Sequence, residues 1–168
     1  MSFDIHDQRS RLVQSGMQNL IVAVGRWKAG PEKALYGLYE KRIQPRLQLK
    51  EVEEKKRLSG TELMRSEGQL LLTAVPDGAR IVVLDGIGKG LSSRALAETL
   101  DRWRDDGVRS TAFVIGGADG LDQAVLQRAD LKLSLGPQTW PHMMVRAMLA
   151  EQLYRTQAIL SGHPYHRE

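Results

Sequence analysis

Leu20-Ile21-Val22-Ala23-Val24-Gly25 is a continuous apolar run, largely β-branched, that stops at a glycine. A strand with apolar side chains on both faces belongs inside a parallel sheet, where helices cover it front and back. Pro31 opens a helix to about Arg42, with Leu35, Leu38 and Tyr39 assigned to one side. Leu47 to Val52 alternates apolar and polar residues and reads as a strand buried on one face. The dense charge run from Glu51 to Arg57 reads as an exposed loop. Thr61 and Glu62 start a helix that carries Leu63, Met64, Leu70 and Leu71. Arg80 to Asp85, Ser110 to Ile115 and Leu131 to Leu135 read as further strands. Ser92 or Ser93 caps a helix to about Asp106, whose apolar side is Leu96, Leu100 and Trp103. A helix over about 121–129 and a long one from Pro141 to about Leu160 complete the set. Five strands alternating with helices at short spacing predict an α/β domain with a mostly parallel sheet flanked by helices.

Composition sets bounds that agree with this. A chain of 168 residues suits one domain, read here as 17–168, with the polar, aperiodic stretch 1–16 as a flexible leader. A hydrophobic content of 42% is too high for a disordered chain. The absence of cysteine removes disulfides, thiolate zinc sites and cysteine nucleophiles, and fits a cytoplasmic location. No apolar run approaches the roughly 18 residues of a membrane-spanning helix. The N-terminal stretch also lacks the basic start and apolar core of a signal peptide. The net charge is +4, and the surplus falls wholly between Met17 and Val75. A local cationic excess attracts phosphate, although a solvated helix face gives the same pattern.

Three glycine-rich stretches follow predicted strands: Leu84–Gly90, Gly116–Gly120 and Leu135–Trp140. Glycine permits sharp turns and close approach of backbone to a ligand, and loops at strand C-termini form the usual crevice of a parallel α/β sheet. None spells a nucleotide motif. Gly86-Ile87-Gly88-Lys89-Gly90-Leu91 lacks the third glycine of a dinucleotide fingerprint and the hydroxyl residue of a P-loop. Each loop alone reads as an ordinary tight turn; together they make a shared small-molecule site the better reading.

Other chemistries find little support. His163 and His166 are three residues apart, but Pro164 lies between them and no suitably spaced acid joins them, so no metal site is expected. No nucleophile-elbow pattern for a serine hydrolase exists. Met143 to Leu149 has apolar residues at helical spacing and reads as core or subunit interface. The tail is different, because His163-Pro164-Tyr165-His166-Arg167-Glu168 concentrates ring and charged side chains at an end that is ordinarily bland. Tyr and His can stack on a base, and Arg can hold phosphate or a base edge.

That ending resembles the ribosomal RNA large subunit methyltransferase H family, within the SPOUT class of trefoil-knotted methyltransferases. The likeness extends over about Met17 to Glu168. It includes Leu20–Gly25, Val83-Leu84-Asp85, Gly88-Lys89, Ser92-Ser93, Phe113–Leu121, Pro141-His142 with Arg146, and Glu151–Arg155. The resemblance implies a compact α/β domain with a C-terminal trefoil knot, working as a homodimer. It implies methyl transfer from S-adenosylmethionine to N3 of a pseudouridine in 23S rRNA of the assembled 70S ribosome, with no metal and no membrane. Cofactor contacts carry over onto Leu84, Gly116, Leu135, Gly136, Pro137, Gln138, Thr139 and Trp140. Catalytic and substrate-positioning roles fall on Arg167, His166, Tyr165 and His142, with His166, His142 and water all open as proton acceptor. Lys41, Arg42, Arg46, Lys50, Lys55, Lys56 and Arg57 would grip nearby rRNA. Two alternatives stand beside this: a ribosome-associated RNA-binding protein without catalysis, and a knotted methyltransferase acting on tRNA.

Overall fold

The computed structural model describes residues 16–167. The leader reading thus falls, but for Gly16, outside the described residues, as does Glu168. Five strands, β1 (Gln18–Val24), β2 (Gln48–Val52), β3 (Arg80–Lys89), β4 (Ser110–Ile115) and β5 (Leu131–Leu133), form one sheet in the order β2-β1-β4-β3-β5. Every pairing is parallel. The helices are α1 (Pro31–Glu40), α2 (Gly60–Ala74), α3 (Ser93–Asp105), α4 (Gln123–Arg128) and α5 (His142–Ser161).

Strand periodicity splits the apolar residues into two clusters, one on each face of the sheet. Leu20, Val22, Ile81, Val83, Ala112 and Val114 pack with Leu71 of α2 and Val125 of α4. Ile21, Ala23, Val82, Phe113 and Ile115 pack on the other side with Tyr36 of α1, Leu96 and Leu100 of α3, and Ala147, Leu149, Ala150 and Leu153 of α5. The continuous apolar runs of β1 and β4 follow from this double coverage.

Local signals place the helix ends. Pro31 stands in the first turn of α1. The Ser92 hydroxyl accepts from the Ala95 amide at the start of α3, and the Asp122 carboxylate accepts from Ala124 at the start of α4. Gly162, with φ 70°, ends α5 in the left-handed region, and the His163 amide closes onto the Ala158 carbonyl at 2.9 Å.

Three expectations are corrected. In α1 the buried residue is Tyr36, while Leu35 and Leu38 are each 46% exposed. The helix turns its aromatic face toward Trp27, whose ring centroid lies 5.6 Å from that of Tyr36. The charge run is not all loop, because Glu51 and Val52 belong to β2. Glu51 bonds to the fully buried Arg146 of α5 at 2.8 Å. Finally, Gly86–Lys89 is not a turn but the irregular extension of β3, whose pairing with β5 shifts register between Leu84 and Lys89.

Gly88 shows why that extension needs glycine. A Cβ there would stand 2.6 Å from the Lys132 carbonyl oxygen and 2.9 Å from the Leu133 amide nitrogen, both backbone atoms that cannot swing aside. Gly88→Ala should therefore push β5 from β3 and cost about 1–3 kcal/mol. A thermal melt checks this, and an unchanged midpoint would contradict it.

Candidate cofactor cleft and C-terminal tail

The C-terminal ends of β3, β4 and β5 come together around one open cleft of about 700 Å³, within the roughly 300–1,000 Å³ typical of small-molecule sites. Its lining includes Leu84, Gly116, Leu135, Gly136, Pro137, Gln138, Thr139 and Trp140, together with His142. All eight residues to which cofactor contacts were carried over thus share one wall system. His142, at the first turn of α5, stands exposed at its side.

The cleft is held open by backbone, not by long side chains. Gly116 is buried, and a Cβ on it would meet the Gly120 carbonyl oxygen at 2.9 Å, so the loop after β4 folds tightly on itself. The Gly120 amide donates to the Gly117 carbonyl at 3.1 Å across that fold. Gly136 sits at φ +109°, a region other residues rarely adopt. The Ser134 hydroxyl, on a residue 8% exposed, accepts from the Gly136 amide at 3.2 Å and reaches the carbonyls of Gly86 and Gly136 at 3.2 and 3.1 Å. Ser134 thereby ties the β3 extension to the loop after β5. The Trp140 indole donates to the Leu135 carbonyl at 3.3 Å and closes that loop.

These features fit a ligand with a flat apolar ring system such as a purine. Leu84, Leu133, Leu135 and Val145 supply apolar surface for a purine. The glycines let backbone amides and carbonyls come close without side chains between.

The tail residues are elsewhere. Tyr165 packs on α1 and α5, its ring 4.7 Å from Tyr154 and 6.4 Å from Tyr39. Its hydroxyl donates to Glu151 Oε1 at 2.9 Å and shares a hydrogen bond with the Tyr39 hydroxyl at 3.1 Å. Burial beside Glu151 and Tyr39 pushes the phenol well above its ordinary pKa, so it stays protonated. The Arg155 guanidinium lies 4.9 Å from the Tyr165 ring centroid and bonds to Glu151. The Tyr165 amide donates to His163 Nδ1 at 3.1 Å. His166 has its Nδ1 buried without a partner, and Arg167 is exposed. Neither Tyr165, His166 nor Arg167 lines the cleft of its own chain. Among the described residues, no group of three or more His, Asp or Glu is arranged to hold a metal ion.

The family model described as "Predicted SPOUT methyltransferase" matches residues 17–166. The chain belongs to that family. Curated relatives of this SPOUT methyltransferase span almost the same length. "Ribosomal RNA large subunit methyltransferase H" of Paramagnetospirillum magneticum is 54% identical over 90% of this chain and 99% of the relative. The protein of the same name from Rhodospirillum centenum is 56% identical over 90% of this chain and 99% of the relative. The crystal structure of the A. aeolicus TrmH/SpoU tRNA modifying enzyme gives a TM-score of 0.44 at 12% identity, covering 97% of this chain and 88% of that one.

Two residues beside the candidate site, Ser134 and Glu67, lie outside the glycine-rich stretches read from the sequence. Ser134 stands one residue before a stretch already singled out, and a serine preceding a glycine turn was its available signal. Gly86 and Ile87, within the Leu84–Gly90 stretch already singled out, line the cleft although they lie in a strand extension. Glu67, on α2, touches the back of the Gly116–Gly120 loop, and nothing in the local sequence marks it. The proposed RNA-gripping cations are also less uniform than their clustering suggested. Arg46 pairs with Glu40 at 2.7 Å, and Lys50 donates to the Ala74 carbonyl at 3.1 Å.

Proposed function

We propose that the protein is an S-adenosylmethionine-dependent methyltransferase acting on large-subunit ribosomal RNA. The observation that carries this is the convergence of Leu84, Gly116 and Leu135–Trp140 on one cleft at the strand C-termini. Membership of the SPOUT family and the names of the curated relatives support the same reading. The acceptor is N3 of a pseudouridine in 23S rRNA of the assembled 70S ribosome, and the reaction takes place in the cytoplasm. The trefoil knot expected from the resemblance belongs to the same reading.

The cofactor, when bound, supplies a methyl group activated on a positively charged sulfur. The loops after β3, β4 and β5 would hold it through their backbone, and His142 at the rim would meet the incoming base. Fixing donor and acceptor together can provide about 7–11 kcal/mol of the barrier. The imide N3 must lose its proton, and a positioned base contributes roughly 10²–10⁴-fold. His142 and His166 are the side chains available for this, alongside water. Arg167 would stabilise the negative charge that develops on the imide oxygens.

A single chain does not bring its tail to its own cleft, so the working unit is a homodimer in which each tail completes the partner's site. The partly exposed Trp140 and Met144, on the cleft wall and in the first turn of α5, suit a surface covered by a second copy.

Calorimetry with S-adenosylmethionine tests the cofactor, and mass spectrometry of rRNA from cells lacking the protein tests the product. The expected result is saturable binding and the loss of one methyl mark that returns with the gene. No binding would reduce the protein to an RNA-binding one, and an intact rRNA mark would redirect the search to other RNAs.

A further inference from the structure

Glu67 is a carboxyl group in an unusual position. It projects from α2, is 9% exposed, and has no hydrogen bond or ion pair among the described residues. The backbone in front of it is Gly117, where a Cβ would stand 2.7 Å from Glu67 Oε2 and 3.2 Å from Oε1. Gly117 also lines the cleft. The wall between this carboxyl and the cleft is therefore one glycine thick, and any side chain at 117 would displace the carboxyl or the loop. Asp119, two residues further on, lines the same cleft and is close enough to Glu67 to repel it electrostatically.

Among the described residues, the charged groups acting on Glu67 from the packed elements are acidic. Asp119 faces it from the loop after β4, and Glu54 from the segment after β2. Asp122, the cap of α4, stands against the neighbouring Gly68. Burial, reinforced by Asp119 and Glu54, raises the Glu67 pKa above the ordinary carboxylate value. The carboxylate oxygens keep a narrow contact with water, which lets Glu67 hold a charge behind Gly117 with like-charged neighbours beside it.

Resting on the methyltransferase reading above, we infer that Glu67 and Asp119 form an anionic backing to the cleft that favours the sulfonium form of the cofactor over its uncharged thioether product. S-adenosylmethionine carries one more positive charge than S-adenosylhomocysteine, and the two otherwise share nearly every contact. A negative potential behind Gly117 and along the cleft at Asp119 separates them by charge alone. It thereby assists product release and reloading after each turnover. Glu67 touches neither the reacting atoms nor the cleft surface, so it acts as a positioning charge for donor selection.

The test is calorimetric, on the full chain, with both compounds as probes. Glu67→Gln keeps the shape and removes the charge. It should weaken S-adenosylmethionine roughly five- to tenfold and leave S-adenosylhomocysteine within about twofold. Asp119→Asn, on an exposed residue whose replacement leaves the core intact, should move the same ratio in the same direction. In the wild type, preference for the sulfonium should fall as pH is lowered through the Glu67 titration, and E67Q should flatten that part of the profile. Equal weakening of both compounds would assign Glu67 a purely structural role and overturn the inference, as would an unchanged ratio in both variants. Failure of the wild type to bind either compound would instead overturn the methyltransferase reading, and the inference with it.

Discussion

Arg167→Ala is expected to reduce methyl transfer by about two to three orders of magnitude while leaving S-adenosylmethionine affinity within about twofold. The tail is held firmly just before Arg167. Tyr165 is fixed by ring packing on Tyr154 and by its hydrogen bond to Glu151, so the chain leaves α5 along a defined path. Arg167 is two residues beyond that anchor, exposed and without an ion pair among the described residues. Its guanidinium is planar, permanently charged and able to make two parallel hydrogen bonds, which suits an imide oxygen or a phosphate. Because its proposed partner is the RNA acceptor, and the candidate cofactor contacts fall on the loops after β3, β4 and β5, its loss should spare donor binding. Single-turnover methylation of ribosomes and calorimetry, run on the same preparation, separate these effects. A parallel fall in both would make the tail a structural element. Retained activity in mixed dimers of this variant with a cleft-defective chain would locate the arginine in the partner's site.

Arg146→Ala is expected to destabilise the fold by about 3–5 kcal/mol, a fall in Tm of roughly 6–20 °C for a chain of this size. Arg146 is 0% exposed and is among the largest fully buried side chains of the described residues. Its Nη1 donates to Glu51 at 2.8 Å, and its Nη2 donates to the carbonyls of Val24 and Gly25, each at 2.8 Å. The guanidinium lies 5.0 Å from the centroid of the Trp27 ring. Burial lowers its pKa, and the bond to Glu51 opposes that shift. Alanine would leave two strand-end carbonyls without their donor and Glu51 with the Trp27 amide as its remaining partner at 2.7 Å. Glu51→Gln, which keeps an acceptor for both donors, should cost less than the arginine change. Equal losses would show that net charge rather than hydrogen bonding holds this corner.

The two variants also mark where the sequence could be read and where it could not. β4 was legible to the residue, because an apolar strand buried on both faces shows up in five or six consecutive letters. The Ser92 cap and the Leu96, Leu100, Trp103 stripe of α3 were legible for the same local reason. The cleft was visible as three glycine stretches, since glycine requirements at turns are local too. What stayed hidden depends on partners far along the chain. Glu51 looked like one member of a solvated charge run because its partner, Arg146, is 95 residues away. Leu35 and Leu38 looked more buried than Tyr36, because hydropathy ranks leucine above tyrosine and says nothing of the neighbouring Trp27. The β3 extension looked like a loop because its strand character comes from pairing of Lys89 with Leu133.

The sheet also has two open borders, and both are poor templates for fibre growth. One is β5, only three residues long, which offers too few backbone groups for a foreign strand to register against. The other is β2, only five residues long, with Gln48, Lys50 and Glu51 exposed, so polar and charged residues dominate that border. The two borders of the sheet thus discourage polymerisation through the backbone.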